Sequence, residues 1–103
     1  MRVHWTARAE ARLTAIRTYI AQDSPVAAAK LERRLLLRSR QIGAHPRSGR
    51  MVPDYERDDV RELIEGNYRI IYRITPEQID VLTVMHCAQL LPADLRDIEA
   101  RRR

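Results

Sequence analysis

Tyr68-Arg69-Ile70-Ile71-Tyr72-Arg73-Ile74 is the stretch that decides the fold. Tyr68, Ile70, Tyr72 and Ile74 alternate with Arg69, Ile71 and Arg73. A period of two is a half-buried strand, here with one apolar and one basic face. Upstream, Gly66-Asn67 turns the chain out of a short strand, Val60 to Ile64. Downstream, Thr75-Pro76-Glu77-Gln78 turns it into Ile79 to His86, which carries Val81, Leu82 and Val84 on both parities and reads as an inner strand. Turns this short join antiparallel neighbours, so the segment predicts a three-stranded meander.

The period lengthens towards the N-terminus. Ala9, Leu13, Ile16 and Ile20 recur every three or four residues, one face of an amphipathic helix. Thr6 stands where its N-cap belongs. This first helix ends near Gln22-Asp23, and Ser24-Pro25 starts a second, with Ser as cap and Pro at the first helical position. Ala28, Leu31, Leu35 and Ile42 form its buried stripe, and Gly43 reads as its C′ residue. So tight a break predicts an antiparallel helical hairpin. Arg2 to Trp5, with Val3 and Trp5 alternating against Arg2 and His4, reads as a first strand. Residues 44–59 show no period and read as an exposed connection. After Pro92 there is room for one short helix, Ala93 to Ala100. The expected architecture is α+β: an N-terminal strand, then an antiparallel helical hairpin packed on a mainly antiparallel sheet of three to four strands. Residues 1–100 form one domain, and Arg101-Arg102-Arg103 a basic tail.

Composition bounds the function. The chain has 103 residues, of which 25 are Leu, Ile or Val, enough for one modest core and too many for a disordered chain. Nineteen Lys+Arg against fourteen Asp+Glu give a net charge of +5. Lys30 is the one lysine among those cations. Arginine forks bind carboxylate or phosphate bidentately, so nucleic acid, an anionic membrane and an acidic protein all remain open as partners. A GC-rich coding bias would also replace Lys by Arg. The single cysteine, Cys87, excludes an intramolecular disulfide. No stretch approaches the ~18 apolar residues of a membrane span. Met1 leads straight into patterned sequence without a signal peptide, so a cytoplasmic location and no membrane partner are expected.

Chemistry-bearing residues are few. Arg69 and Arg73 share a strand face ~13 Å apart, and Arg61 on the preceding strand is placed to join them. They read either as an anion-binding surface or as a solvated face paired to Glu62, Glu65 or Asp80. His86 lacks an evident nucleophile or acid partner. Zinc needs three or four ligands, so no metal and no cofactor are expected. Cys87 reads as a buried or neutral thiol. Trp5, Tyr68 and Tyr72 read as core, and no base-stacking platform emerges.

In this order and spacing, Val3-His4-Trp5-Thr6, Ile16 to Ile20, Ala27-Ala28-Ala29 and Pro46-x-x-Gly49-Arg50 resemble the ParE branch of the RelE/ParE toxin superfamily. Arg61-Glu62-Leu63, residues 68–74 and Val84-x-His86 complete the resemblance, which spans residue 2 to about 92. It implies a small toxin of a type II toxin–antitoxin pair, often called a plasmid-stabilisation protein. Its partner would be an acidic, ParD-like antitoxin whose flexible C-terminal segment wraps the toxin. Such wrapping joins charge pairing to apolar burial. Leu13, Arg17 and Leu36 are the expected antitoxin contacts, along the hairpin and the sheet edge.

Two activities divide the superfamily. RelE-like members are implied to cut mRNA in the ribosome with basic residues on the second strand, an Arg opening the third, an Arg after the last and a C-terminal Tyr. Here Arg69 matches, but Val60 and Glu62 stand where cations would be, and Cys87-Ala88-Gln89 follows the last strand. A ribonuclease must stabilise a pentavalent phosphate and move protons. If this chain is one, Arg61, Glu62, Arg69 and His86 are its catalytic set. ParE-like members are implied to block DNA gyrase by binding, without chemistry. On that reading there are no catalytic residues, and Arg61, Arg69, Arg73 and His86 form the target-binding surface. A degenerate, non-toxic binding module is the remaining alternative.

Overall fold

A computed structural model describes residues 1–99 of the chain. The chain runs β1 (Arg2–Trp5), α1 (Ala7–Ala21), α2 (Pro25–Ala44), β2 (Arg50–Met51), β3 (Val60–Glu65), β4 (Tyr68–Ile74) and β5 (Gln78–His86). A 3-10 turn at Pro46–Ser48 leads into β2, and another at Leu95–Asp97 follows β5. The caps fall where the sequence puts them: Thr6 Oγ1 accepts the Ala9 N–H, and Ser24 Oγ accepts the Ala27 N–H. Each satisfies an amide that the first helical turn leaves without a carbonyl.

The sheet has five strands in the order β1-β5-β4-β3-β2. β3, β4 and β5 form the expected antiparallel meander, and β1 pairs β5 in parallel, Arg2 opposite Gln78 through Trp5 opposite Val81. The fifth strand is β2, whose Arg50 and Met51 pair with Glu62 and Arg61. It lies within the segment expected to be a plain connection. Two residues cannot display a period, so nothing local announced it.

Both faces of the sheet are covered. Ala9 and Leu13 of α1 with Leu31, Leu35 and Ile42 of α2 close over Leu63, Ile70, Tyr72, Ile79, Val81 and Val84. On the far face Val52, Val60, Ile71 and Leu82 meet Leu95 and Ile98. β5 serves both layers through a bulge: Ile71 lies opposite Thr83 and Tyr72 opposite Val81, leaving Leu82 as an extra residue. This explains its two apolar parities. The expected helix over 93–100 is instead the short turn, capped by the Asp94 carboxylate on the Arg96 N–H. Leu95 and Ile98 hold it against the sheet, and residues 100–103, the tail included, lie outside the described residues.

Gly43 is not C′ but lies inside α2, which runs one residue further to Ala44. A Cβ there would sit 2.6 Å from the Met1 carbonyl oxygen, so glycine lets the N-terminal strand cross the helix. Gly49 has a similar reason. Its Cβ would fall 2.5 Å from the Tyr72 hydroxyl. That buried hydroxyl accepts the Gly49 N–H at 3.0 Å and donates to the Pro46 carbonyl at 2.6 Å. Burial pushes the Tyr72 phenol above its ordinary pKa.

The charge is segregated by layer. Residues 7–44 hold eight cations against three acids, which equals the whole net charge. The other described residues hold eight arginines against eleven acids.

Candidate functional site

The far face of the sheet centres on Glu62. It lies opposite Ile71 on β3, with its side chain fully buried. A buried carboxylate needs counter-charge and hydrogen bonds. Arg50 Nε reaches Oε1 at 2.8 Å, and Arg69 approaches Oε2 through Nε at 3.1 Å and Nη2 at 2.5 Å. Arg69 is itself only 13% exposed, whereas Arg50 is 66% exposed. The arginine of the expected anion-binding face is therefore held by a carboxylate of its own chain through Nε and Nη2. Sequence reading named Glu62 as a partner for these arginines but missed Arg50, because its approach depends on the unannounced β2.

The other candidates are distributed. Arg73 shares the face of Arg69 and meets Glu99 at 2.7 Å and Asp80 at 3.9 Å. Arg61 lies opposite Tyr72 and so points to the helical side. There it binds the Gly49 carbonyl at 2.9 Å and Asp58 at 2.6 Å. His86 lies opposite Tyr68, again on the helical side, with the two rings edge-to-face at 5.4 Å. His86 Nδ1 accepts the Ala88 N–H at 3.0 Å, so in the neutral ring the proton sits on Nε2. The fold thus brings Glu62 and Arg69 together, and sets Arg61 and His86 on the opposite side of the sheet. Glu65, the remaining expected counter-ion, faces Arg38 of α2 at 3.9 Å instead.

Beside the Glu62 cluster opens a cleft of about 340 Å³ lined by Arg50, Pro53, Ile64, Arg69, Gln89 and Leu90, among others. Ile64 and Leu90 are exposed within it. Cys87 also lines this cleft and is exposed, not buried as expected, because the strand has ended at His86 and the chain turns outward.

The expected antitoxin contacts lie on the other side. Leu13 and Leu36 line one groove of about 540 Å³ with Val3 and Trp5, along the edge of the sheet that β1 forms. Trp5 is half-buried there, and its Nε1 donates to Ser39 Oγ at 3.1 Å. Arg17 is not in the groove; it bridges the two helices through Glu32 at 3.1 Å.

The structure is a small helical hairpin on a five-stranded sheet, basic on the helical side and apolar in the groove at the β1 edge. The chain belongs to the ParE toxin family of the type II toxin-antitoxin system parDE, whose family model matches residues 3–91. It is 39% identical over 93 residues to the putative toxin Y4kP of Sinorhizobium fredii, covering 88% of this chain and 93% of that protein. It is 36% identical over 89 residues to toxin RelE2 of Caulobacter vibrioides, covering 85% and 97%. Its fold is similar to a structure of the chromosomal ParDE system of P. aeruginosa, with a TM-score of 0.69 and 25% identity over 84% of this chain and 95% of that one. Membership in this family gives the chain an antitoxin as partner. Among the described residues no helix is long and apolar enough to cross a membrane.

Proposed function

We propose that this toxin acts by binding DNA gyrase, without cutting RNA, and that an acidic antitoxin neutralises it. The observation that carries this reading is the ion pair between Arg69 and the buried Glu62. Arg69 spends Nε and Nη2 on a buried carboxylate, which offsets the positive charge it would offer a scissile phosphate. Displacing Glu62 would strand its charge in the sheet interior, at a cost of several kcal/mol. His86, the one candidate proton carrier, faces the other side and spends Nδ1 on the Ala88 amide. A proton carrier must lie within hydrogen-bond reach of the reacting oxygens, and His86 lies across the sheet from Arg69 and Glu62.

The target-facing surface in this proposal is the cleft beside the Glu62 cluster. Arg69, fixed in place, and the exposed Arg50 provide cationic donors, and Ile64 and Leu90 provide apolar contact. Arg73 extends the same face, while Arg61 and His86 act by shaping the ends of their strands. The groove at Leu13 and Leu36 seats the antitoxin.

Two assays on the purified toxin test the reading. Gyrase supercoiling should fall as toxin is added, with cleaved DNA accumulating, and primer extension on translated mRNA should show no codon-phased cuts. Unchanged supercoiling together with phased cuts would replace the binding mechanism by a ribonuclease one.

A further inference from the structure

The two layers treat their cations differently. Among the described residues, only Arg17 and Arg38 of the eight cations in the helical layer have a carboxylate within 4.0 Å. Arg8, Arg12, Lys30, Arg33, Arg34 and Arg40 have none, and all six are exposed. On the sheet side every described arginine except Arg2 pairs with an acid. An arginine-rich composition alone would leave both sides alike.

The free cations are spread in an ordered way. At 100° per residue, Ala28, Leu31, Leu35 and Ile42 of α2 face the sheet. Lys30 and Arg34 then run along one outer edge of the helix, and Arg33 and Arg40 along the other. Arg33 and Arg40 stand ~10.5 Å apart along the axis. Long side chains at that spacing reach the phosphate rows on either side of a major groove about 12 Å wide. On α1, Arg8, Arg12 and Tyr19 share one flank, and a tyrosine hydroxyl is also a phosphate donor.

We infer that the helical layer is a sequence-independent contact for duplex DNA, through which the toxin grips the DNA that its target carries. The inference deepens the gyrase reading and rests on it for where that DNA is met. The cleft proposed for the enzyme lies on the far face of the sheet, so a toxin seated by it turns its helices away from that contact. Chemistry selects the occupant. A phosphate backbone asks for charge alone, and counter-ion release drives its binding. A membrane or a protein partner would also need continuous apolar area. The exposed Val26 and Leu37 are eleven residues apart, ~16.5 Å along α2. Single strands stack their bases on aromatic side chains, and Tyr19 is the only aromatic residue in the two helices.

The test uses the full-length toxin without antitoxin and a short labelled duplex of random sequence, followed by fluorescence anisotropy. At about 50 mM salt the wild type should bind with a dissociation constant of about 10 µM or lower. Arg33→Gln, Arg34→Gln and Arg40→Gln together should weaken binding at least about tenfold and make the slope of log K against log salt shallower by about two to three. All three side chains are exposed, so the melting temperature should stay near wild type. Arg47→Gln with Arg96→Gln removes two cations from the sheet side and should leave binding and slope close to wild type. An equal loss per removed charge in that control overturns the inference, because binding would then follow net charge and not the layer. So does tighter binding to RNA than to duplex DNA, or no binding at about 50 mM salt. In the supercoiling assay the triple variant should need several-fold more toxin for half-inhibition, and inhibition equal to wild type overturns the role given to the contact. A wild type that binds the duplex but is inert on gyrase refutes the target and leaves the DNA contact standing.

Discussion

Glu62→Gln isolates the charge at the centre of the far face. The amide keeps the shape of the side chain and removes the negative charge from a site with no solvent access. Breaking a buried pair by removing one partner costs about 3–5 kcal/mol. Here the cost sits at or below the low end. Arg50 is two-thirds exposed and returns to water, so Arg69 alone keeps a stranded charge. About 3 kcal/mol is the working figure. A 103-residue domain loses roughly 0.2 kcal/mol of stability per degree near its midpoint, which makes the drop in Tm about 14 °C. Thermal unfolding followed by circular dichroism measures it. The companions are Glu62→Met and Arg69→Met, alone and combined, because replacing both members of a buried pair by apolar groups is often close to neutral. The double variant should recover most of the loss. A Tm drop below about 3 °C in Glu62→Gln, with no coupling in the cycle, refutes the claim that Glu62 holds Arg69. The same variant frees a guanidinium at the cleft, so its affinity for single-stranded RNA should rise above that of the wild type.

Leu35→Ala empties a fully buried position of the main core and should cost about 2–5 kcal/mol, read from the urea midpoint. Tyr72→Phe removes the hydroxyl that serves the Gly49 N–H and the Pro46 carbonyl, and should cost about 1–3 kcal/mol. A loss below 0.5 kcal/mol would mean that water replaces the hydroxyl. Acid should also act on the loop before β3. Hydrogen bonds from Arg47 and Arg61 hold Asp58 below the usual carboxylate range, and one from Arg57 does the same for Asp59. A depressed folded pKa contributes stability above the unfolded value and loses it as pH falls through the folded one. Urea midpoints should therefore fall as pH drops below about 4, and Asp59→Asn should flatten that decline.

Much of the fold is legible because it rests on local chemistry. Thr6 and Ser24-Pro25 fix both helix starts, and residues 68–74 show their period openly. What stayed hidden depends on distant partners. β2 exists because Glu62 and Tyr72 hold Arg50 and Gly49 from across the sheet. Leu95 and Ile98 have helical spacing, yet the segment forms only a short turn, held by the far face of the sheet. Gly43 reads as a helix end from its type, and only the crossing of the first strand reveals its role. The site was half legible: Arg69 and Glu62 were both singled out, but the sequence could not show that each is the other's ligand. The charge was read correctly in sum and placed too evenly. Its excess belongs to the helices, and the strand arginines are spent on acids beside them.

The parallel pairing of β1 with β5 has a consequence in time. Arg2 lies opposite Gln78, so β1 finds its neighbour only after both helices and the strands between them have left the ribosome. Until then the hairpin behind it has no sheet to cover, and its apolar stripes stay open to any partner within reach. A toxin built this way completes its sheet only late in its own synthesis. The interval in which it can be intercepted is set by strand order, before its affinity for anything matters.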